Sequence, residues 1–216
     1  MARLDDVLDY ESKYTKNEVL INKLEIYNQE ELDKAERIIT TYKLSNLYLD
    51  PCKYLGLNEL SFDADHYFKI HKYLFEDIYD FAGEVRGENI YKTFTFCPPT
   101  NIYRQLVETL NNAQIEAAHI ENEEDLVEFI AKYYADLDVI HPFREGNGRA
   151  LREFLREYVL KINDIIDFGP YEINYDNLPE RAIFIDAVVR ADVLCELEPL
   201  KDIFKDCLVK QKGKNL

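Results

Sequence analysis

The chain has 216 residues, with 26 basic against 42 acidic side chains and a formal net charge of −16. That length suits one domain with a sizeable core, and the acidic excess argues against a nonspecific nucleic-acid or anionic-membrane surface. No apolar run approaches the length of a membrane span, residues 1–28 are too polar for a signal peptide, and Cys52, Cys97, Cys195 and Cys207 show no C-x-x-C spacing, so no zinc site or disulfide framework is indicated and a cytoplasmic location is expected.

Residues 1–27 read as an arm or a short helix, with Val19, Leu20, Ile21, Leu24, Ile26 and Tyr27 able to pack. Asn28, with Glu31 three residues on, opens a helix to about Lys43 whose inner face is Leu32, Ala35, Ile39 and Tyr42. Pro51 and Gly56 mark a loop. Asp63 caps a further helix with the stripe Tyr67, Ile70, Leu74 and Ile78, ending at Gly83. On that helix His66 and His71 are five apart, the wrong spacing for two ligands on one face, and both read as structural or surface histidines. Residues 90–96 alternate Phe and Thr and are closed by Pro98 and Pro99, the pattern of an edge hairpin. Thr100 opens a helix that turns Ile102, Leu106, Leu110, Ala113 and Ala117 inward, and His119 falls at its exposed end.

Asn122 caps a helix over Glu123 to Ile140, with Leu126, Phe129, Ile130, Tyr133 and Leu137 as its apolar stripe. Pro142 disfavours helical backbone at His141, so that helix should stop near Ile140 and give way to His141-Pro-Phe-Arg-Glu-Gly-Asn-Gly-Arg149 as a loop opening onto the next helix. Gly146 and Gly148 let backbone N–H groups turn inward, and the first-turn N–H groups of the following helix point the same way, which makes a phosphate-sized nest. Arg149, Arg152 and Arg156 share one face of that helix, opposite Leu151, Phe154, Leu155 and Tyr158, and should face anions. Two arginines beside the nest exceed what a monophosphate needs, which points to a nucleoside triphosphate. Glu145 is then either a brace for the loop or a Mg²⁺ ligand beside the phosphates, His141 is the proton acceptor, Phe143 anchors the loop in the core, Asn147 shapes the turn, and Arg144 lies at the surface. Farther on, Gly169-Pro170 breaks the chain, Pro179 starts a helix containing Ile183, Ala187 and Leu194, and Pro199 precedes a last helix from Leu200 to about Val209, followed by a basic tail.

The run from His141 to Arg152 resembles, residue for residue, the H-x-F-x-(D/E)-G-N-G-R-x-x-R signature of Fic-domain proteins, with eight constrained positions in twelve. Residues 77–86 are similar to that family's Y-x-W-A-G-x-x-R segment, with Phe81 in place of Trp, and the stretch from Arg86 to Pro99 resembles its β-hairpin flap. The resemblance runs from about residue 28 to residue 208, leaving 1–27 as an N-terminal arm and 209–216 as a basic tail. It implies an all-α bundle with a small hairpin flap, and transfer of AMP from ATP to a Tyr, Thr or Ser hydroxyl of a target protein, with self-modification. His141 is then the base and Glu145 the Mg²⁺ ligand. Gly146, Asn147, Gly148, Arg149 and Arg152 hold the nucleotide, Asn147 at the α-phosphate, joined by Lys92 and Thr93 of the flap, where the family commonly has Lys-Gly. Gly148 favours AMP transfer over a kinase-like reaction. Alternatives on the same scaffold are another phosphate-linked transfer, kinase-like or de-AMPylating, and a non-enzymatic ATP-binding module.

Many such proteins are silenced by a helix bearing (S/T)-x-x-x-E-(G/N), whose Glu pairs with the second motif arginine, here Arg152. No Ser or Thr of this chain has a Glu four residues on. The resemblance therefore implies an open site, a small antitoxin that supplies the Glu in trans, or a divergent internal Glu such as Glu18 or Glu25.

Overall fold

The computed structural model describes residues 13–16, 18–92 and 94–211. Two short strands, β1 (Thr15–Lys16) and β2 (Val19–Leu20), form a hairpin where the sequence suggested an arm or a helix. The hairpin is fastened to the body: Lys23 N–H donates to the Ile78 carbonyl, and the Tyr14 ring meets Phe81 edge-on at 5.5 Å. Glu18 and Glu25 both adopt left-handed backbone in this segment, and neither lies on a helix.

Eight helices follow among the described residues. The first, α1 (Gln29–Leu49), starts at the expected Asn28 cap but runs past Lys43. Its packed face is also not the expected one. Tyr42 is 68% exposed, and the buried positions are Leu32, Glu36, Thr40, Lys43 and Leu47. A face carrying Glu, Thr and Lys does not read as an inner face, yet each polar group has a partner: Glu36 pairs with Arg149 and Tyr79, the Thr40 hydroxyl donates to the Glu36 carbonyl, and Lys43 donates to the Tyr73 carbonyl and pairs with Asp77. Paired polar groups can be buried at small cost.

The segment read as a loop at Pro51 is the short helix α2 (Pro51–Leu55), capped by Asp50 and closed by Gly56 in left-handed backbone. Next, α3 (Ala64–Phe75) begins at its Asp63 cap and stops eight residues short of Gly83, because the chain turns at Glu76 to bury Ile78, Tyr79 and Phe81 against the same core. α4 (Pro99–Ala117) buries the five residues expected of it, and α5 (Glu123–Ile140) starts at Asn122 and ends directly before His141, as Pro142 requires. α6 (Asn147–Ile162) packs on α3 and α5. The centre is aromatic: Tyr67 and Phe154 are 5.0 Å apart, Phe62 and Tyr158 are 4.0 Å apart, and Phe143 is fully buried beside Tyr67.

Arg156 corrects the view of α6 as one packed and one anion-facing side. It is 1% exposed, bonded through Nε and Nη2 to Glu153 and stacked over Tyr48 at 4.1 Å. A buried guanidinium needs carboxylate and carbonyl partners, and Glu153 and the Leu47 carbonyl occupy it.

After α6 come β3 (Tyr171–Ile173), a 3-10 turn at Tyr175–Asn177, α7 (Arg181–Leu194) and α8 (Glu198–Cys207). Ile183 and Leu194 are more than half exposed on α7, and its packed face is Phe184, Ala187, Val188 and Ala191, set by contact with α5 and α8. The last helix stops at Cys207. The chain then runs into β4 (Leu208–Lys210), antiparallel to β3, so the start of the basic tail is a strand edge. Among the described residues no helix is long and apolar enough to cross a membrane.

Asn122→Ala, which removes the Oδ1 bond to the Asp125 N–H at 3.0 Å, is expected to cost about 1 kcal/mol in a denaturant titration; an unchanged midpoint would show that the cap carries no weight.

Candidate active site

α5 delivers His141 and α6 begins six residues later, so the functional side chains hang on one short loop between two core helices. His141 takes left-handed backbone at φ 47°, an uncommon state for a residue with a Cβ, held here by its surroundings. Its N–H bonds the Leu137 carbonyl at 3.3 Å, and its carbonyl accepts from Arg86 Nε at 2.7 Å. The ring stacks on Phe96 at 3.9 Å and lies 3.2 Å, through Nδ1, from the Asp138 carbonyl. A carbonyl only accepts, so Nδ1 carries the hydrogen and Nε2 is left with a lone pair.

Two buried side chains that the sequence did not single out for this purpose hold the loop. Arg86, only 2% exposed, fans its guanidinium over the carbonyls of His141, Ile140, Cys97 and Glu88, while its N–H bonds the Pro142 carbonyl, tying flap and motif together. His71 works from below. Its Nδ1 accepts from the Gly83 N–H at 2.9 Å and its Nε2 donates to the Glu145 carbonyl at 2.8 Å, while its ring stacks 3.7 Å from Phe143. Burial pushes His71 down to about 3, so it is neutral in the fold. His66, in contrast, lies away from the loop, between the Ser61 carbonyl and Glu157, and both histidines are structural. His119 is exposed at the end of α4, as expected.

Gly146 is the turn itself. At φ 80° it stands so close to the Phe75 ring that a Cβ would lie 2.2 Å from Cζ, so both backbone and space demand glycine. The case for Gly148 differs. It lies inside α6, and a Cβ there would meet only the Arg152 Nη1 tip at 3.3 Å. No side chain among the described residues caps α6, so the first-turn N–H groups of Asn147 and Gly148 face outward at the positive end of the helix. Asn147 is committed to the loop, its Oδ1 accepting from Phe143 N–H and its Nδ2 donating to the Phe143 carbonyl, both at 2.8 Å. Arg144 is half-buried against the Tyr14 ring at 5.8 Å, which corrects its assignment to the free surface.

The two motif arginines are not equivalent. Arg149 pairs with Glu36, approaches Thr40 Oγ1 and lies over the Phe75 ring at 4.8 Å, so much of its charge is already matched from α1. Arg152 forms no ion pair among the described residues, and its charge acts on the Tyr134 hydroxyl. Both line a cleft of about 300 Å³ with Leu44, Ser45, Tyr48, Glu153, Tyr175 and Asp176. Glu145 is half-exposed. Its Oε1 accepts from the Gly146 N–H at 2.8 Å and lies 3.7 Å from Arg149 Nη2.

Among the described residues the flap is joined by a bridge between Tyr91 and Thr95 and by the Phe96 N–H on the Ile90 carbonyl at 3.3 Å. Lys92 is exposed there with Nζ 5.6 Å from the Phe96 ring that covers His141, and Thr93 lies outside the described residues.

Phe143→Ala is expected to lower stability by roughly 3–5 kcal/mol, since the ring is fully buried between His71, Tyr67 and Phe68; a wild-type melting temperature would contradict that packing role. For His71 the sign follows from a folded value below the ordinary 6.5. The unfolded chain binds a proton that the folded chain refuses, so stability present above about pH 6.5 is lost as pH falls toward 3. His71→Gln should therefore be less stable than wild type at neutral pH, with the gap narrowing on acidification, and parallel curves would refute the neutral assignment.

The profile of the Fic/DOC family matches residues 61–159. "Probable protein adenylyltransferase y4lH" of Sinorhizobium fredii is 30% identical over 187 residues, covering 82% of this chain and 85% of that protein. "Probable protein adenylyltransferase Fic" of Escherichia coli is 30% identical over 145 residues, covering 66% and 68%. Among solved structures, the ADP-bound N-terminal Fic domain of a Bep effector from Bartonella quintana superposes with a TM-score of 0.78 at 23% identity, over 92% of this chain and 94% of the other. The fold agrees with that structure and the relative from Sinorhizobium fredii is matched along most of its length, so the chain belongs to the Fic/DOC family.

Proposed function

We propose that this protein transfers AMP from ATP to a hydroxyl of a protein side chain and modifies itself by the same reaction. The observation that carries the reading is the junction of α5 and α6. There His141, with its Nδ1 hydrogen committed and Nε2 free, directly precedes an uncapped helix N-terminus. The α-phosphate binds at the N–H groups of Asn147 and Gly148, with Gly146 making the turn, its own N–H on Glu145, and Asn147 holding the loop in shape. The target oxygen attacks the α-phosphorus as His141 Nε2 takes its proton, the bond to the β-phosphate oxygen breaks, and pyrophosphate leaves. Positioning and charge stabilisation lower the barrier. The β- and γ-phosphates face Arg149 and Arg152, and Arg152 contributes the less neutralised charge. Gly148, where any Cβ would come within 3.3 Å of the Arg152 Nη1 tip, leaves that guanidinium room for this orientation of ATP. Lys92 of the flap borders the nucleotide, and a target segment pairs with the flap backbone.

The residues fit a magnesium ion that arrives with ATP. Among the described residues no cluster of three candidate ligands could hold a metal alone, whereas Glu145 keeps Oε2 uncommitted beside the nest, and one carboxylate plus phosphate oxygens is a usual Mg²⁺ environment. The ion's role there is to offset charge on the phosphates.

ATP use and four free thiols fit the cytoplasm. Because Arg152 has no carboxylate partner among the described residues, we read the site as open to ATP or to a small helical antitoxin whose Glu pairs with Arg152 in trans.

Intact mass after incubation with Mg-ATP, with label at the α- or γ-phosphate, tests the activity. AMP transfer adds the α-label, while entry of the γ-label would favour a kinase-like reaction. His141→Ala should fold and bind ATP but lose transfer by roughly 10² or more, and retained transfer would remove His141 from the role. Glu145→Ala should weaken activity and shift the Mg²⁺ titration to higher concentration; an unchanged titration would count against the metal assignment.

A further inference from the structure

Beside His141 Nδ1, two carboxylates from different helices meet. Asp138, on α5, has Oδ1 3.6 Å from His141 Nδ1 and its side chain is 13% exposed. Asp192, on α7 and outside the residues matched by the family profile, is within hydrogen-bonding reach of Asp138. Both Asp192 oxygens are buried, and neither receives a hydrogen bond from an N–H or O–H among the described residues. Two carboxylates that are both ionised repel and only accept, so a buried pair of them without donors is unstable. One proton between them turns the clash into a hydrogen bond. We propose that Asp138 and Asp192 share one proton, and that this pair, with one negative charge left beside Nδ1, positions His141 and steadies it as it takes the proton of the target hydroxyl.

Among the described residues no cation acts on Asp192. α3 contributes the buried Tyr67 hydroxyl, itself without a partner, and α5 contributes Tyr134 and, on the Asp192 side, Asp136. Arg152 of α6 acts on Tyr134 and not on Asp192. Burial and then the charge of Asp138 push Asp192 up to about 8, which places the shared proton on Asp192 at neutral pH. Asp138 then keeps the charge. The arrangement is that of a base steadied by a carboxylate, with a second carboxyl steadying the first.

The proposal rests on His141 being the base, so its test carries two readouts that need no turnover. Full-length Asp138→Asn, Asp192→Asn and Asp192→Ala are compared with wild type. The first readout is the denaturant midpoint against pH. The folded chain keeps on Asp192 a proton that the unfolded chain releases above its ordinary value near 3.8, so wild-type stability should fall, relative to Asp192→Asn, as pH rises toward 8. Parallel curves overturn the shared proton. The second is the imidazole nitrogen-15 resonances of His141, which should move in Asp138→Asn and in Asp192→Ala; unmoved resonances overturn the coupling to His141. The third is self-modification with α-labelled ATP. Asp138→Asn should lower kcat roughly tenfold with KM for ATP unchanged. Asp192→Ala should lower kcat too, and Asp192→Asn, whose amide still donates to Asp138, should recover part of that loss. Equal losses in the two Asp192 variants, or a change in KM alone, overturn the positioning role. If wild type transfers no AMP, or His141→Ala transfers as well as wild type, the base assignment fails instead, and the first two readouts still judge the pair.

Discussion

The site depends on a neutral imidazole in the core. His71 joins the Gly83 amide to the Glu145 carbonyl and stacks on Phe143, so the segment after α3 and the motif loop are locked through one ring that must stay uncharged. With that ring in place, Gly146 can turn against Phe75 and α6 can start with its N–H groups facing outward. Arg86 closes the other side by gathering the carbonyls that the turn at His141 would otherwise leave unpaired. Loss of either support would leave buried polar backbone without partners, which is why a loop of such strained geometry can be rigid.

Electrostatics around the loop are arranged against the background of an acidic chain. Arg156 is absorbed by Glu153, and Arg149 is largely absorbed by Glu36, so the positive potential at the helix start comes from backbone dipoles and from Arg152 more than from a count of arginines. Glu36 also accepts from Tyr79, which pins α1 to the segment after α3. The same carboxylate therefore orients Arg149 and anchors a helix whose inner face is polar.

Much of the architecture was legible in the residues. The caps at Asn28, Asp63 and Asn122, the stripes of α4 and α5 and the stop before Pro142 all appear where local preference and periodicity put them. These signals are local, so tertiary contacts had little to overturn. Misreadings gathered where burial was polar or pairing was distant. The inner face of α1 was placed at Tyr42 because Glu36, Thr40 and Lys43 look solvated until Arg149, Tyr73, Tyr79 and Asp77 are brought to them. Arg156 follows the spacing of Arg149 and Arg152 but is turned inward by Glu153 and Tyr48. The strand pair β3–β4 joins residues far apart in the chain, and neither member is long enough to show a period.

At the site, the run from His141 to Arg152 announced its chemistry because base, glycines and arginines are contiguous in the chain. The supports are scattered over the chain at residues 36, 71, 86 and 192, as side chains whose types are ordinary on a surface. Their meaning comes from desolvation. Away from water, His71 must be neutral, Arg86 must find carbonyls, Glu36 must find a cation, and Asp192 must find a proton. The sequence alone determined which atoms can react and which backbone can turn, since those properties belong to residue types and their neighbours in the chain. Which polar groups are taken out of water, and which partners then answer them, was decided only by the tertiary structure.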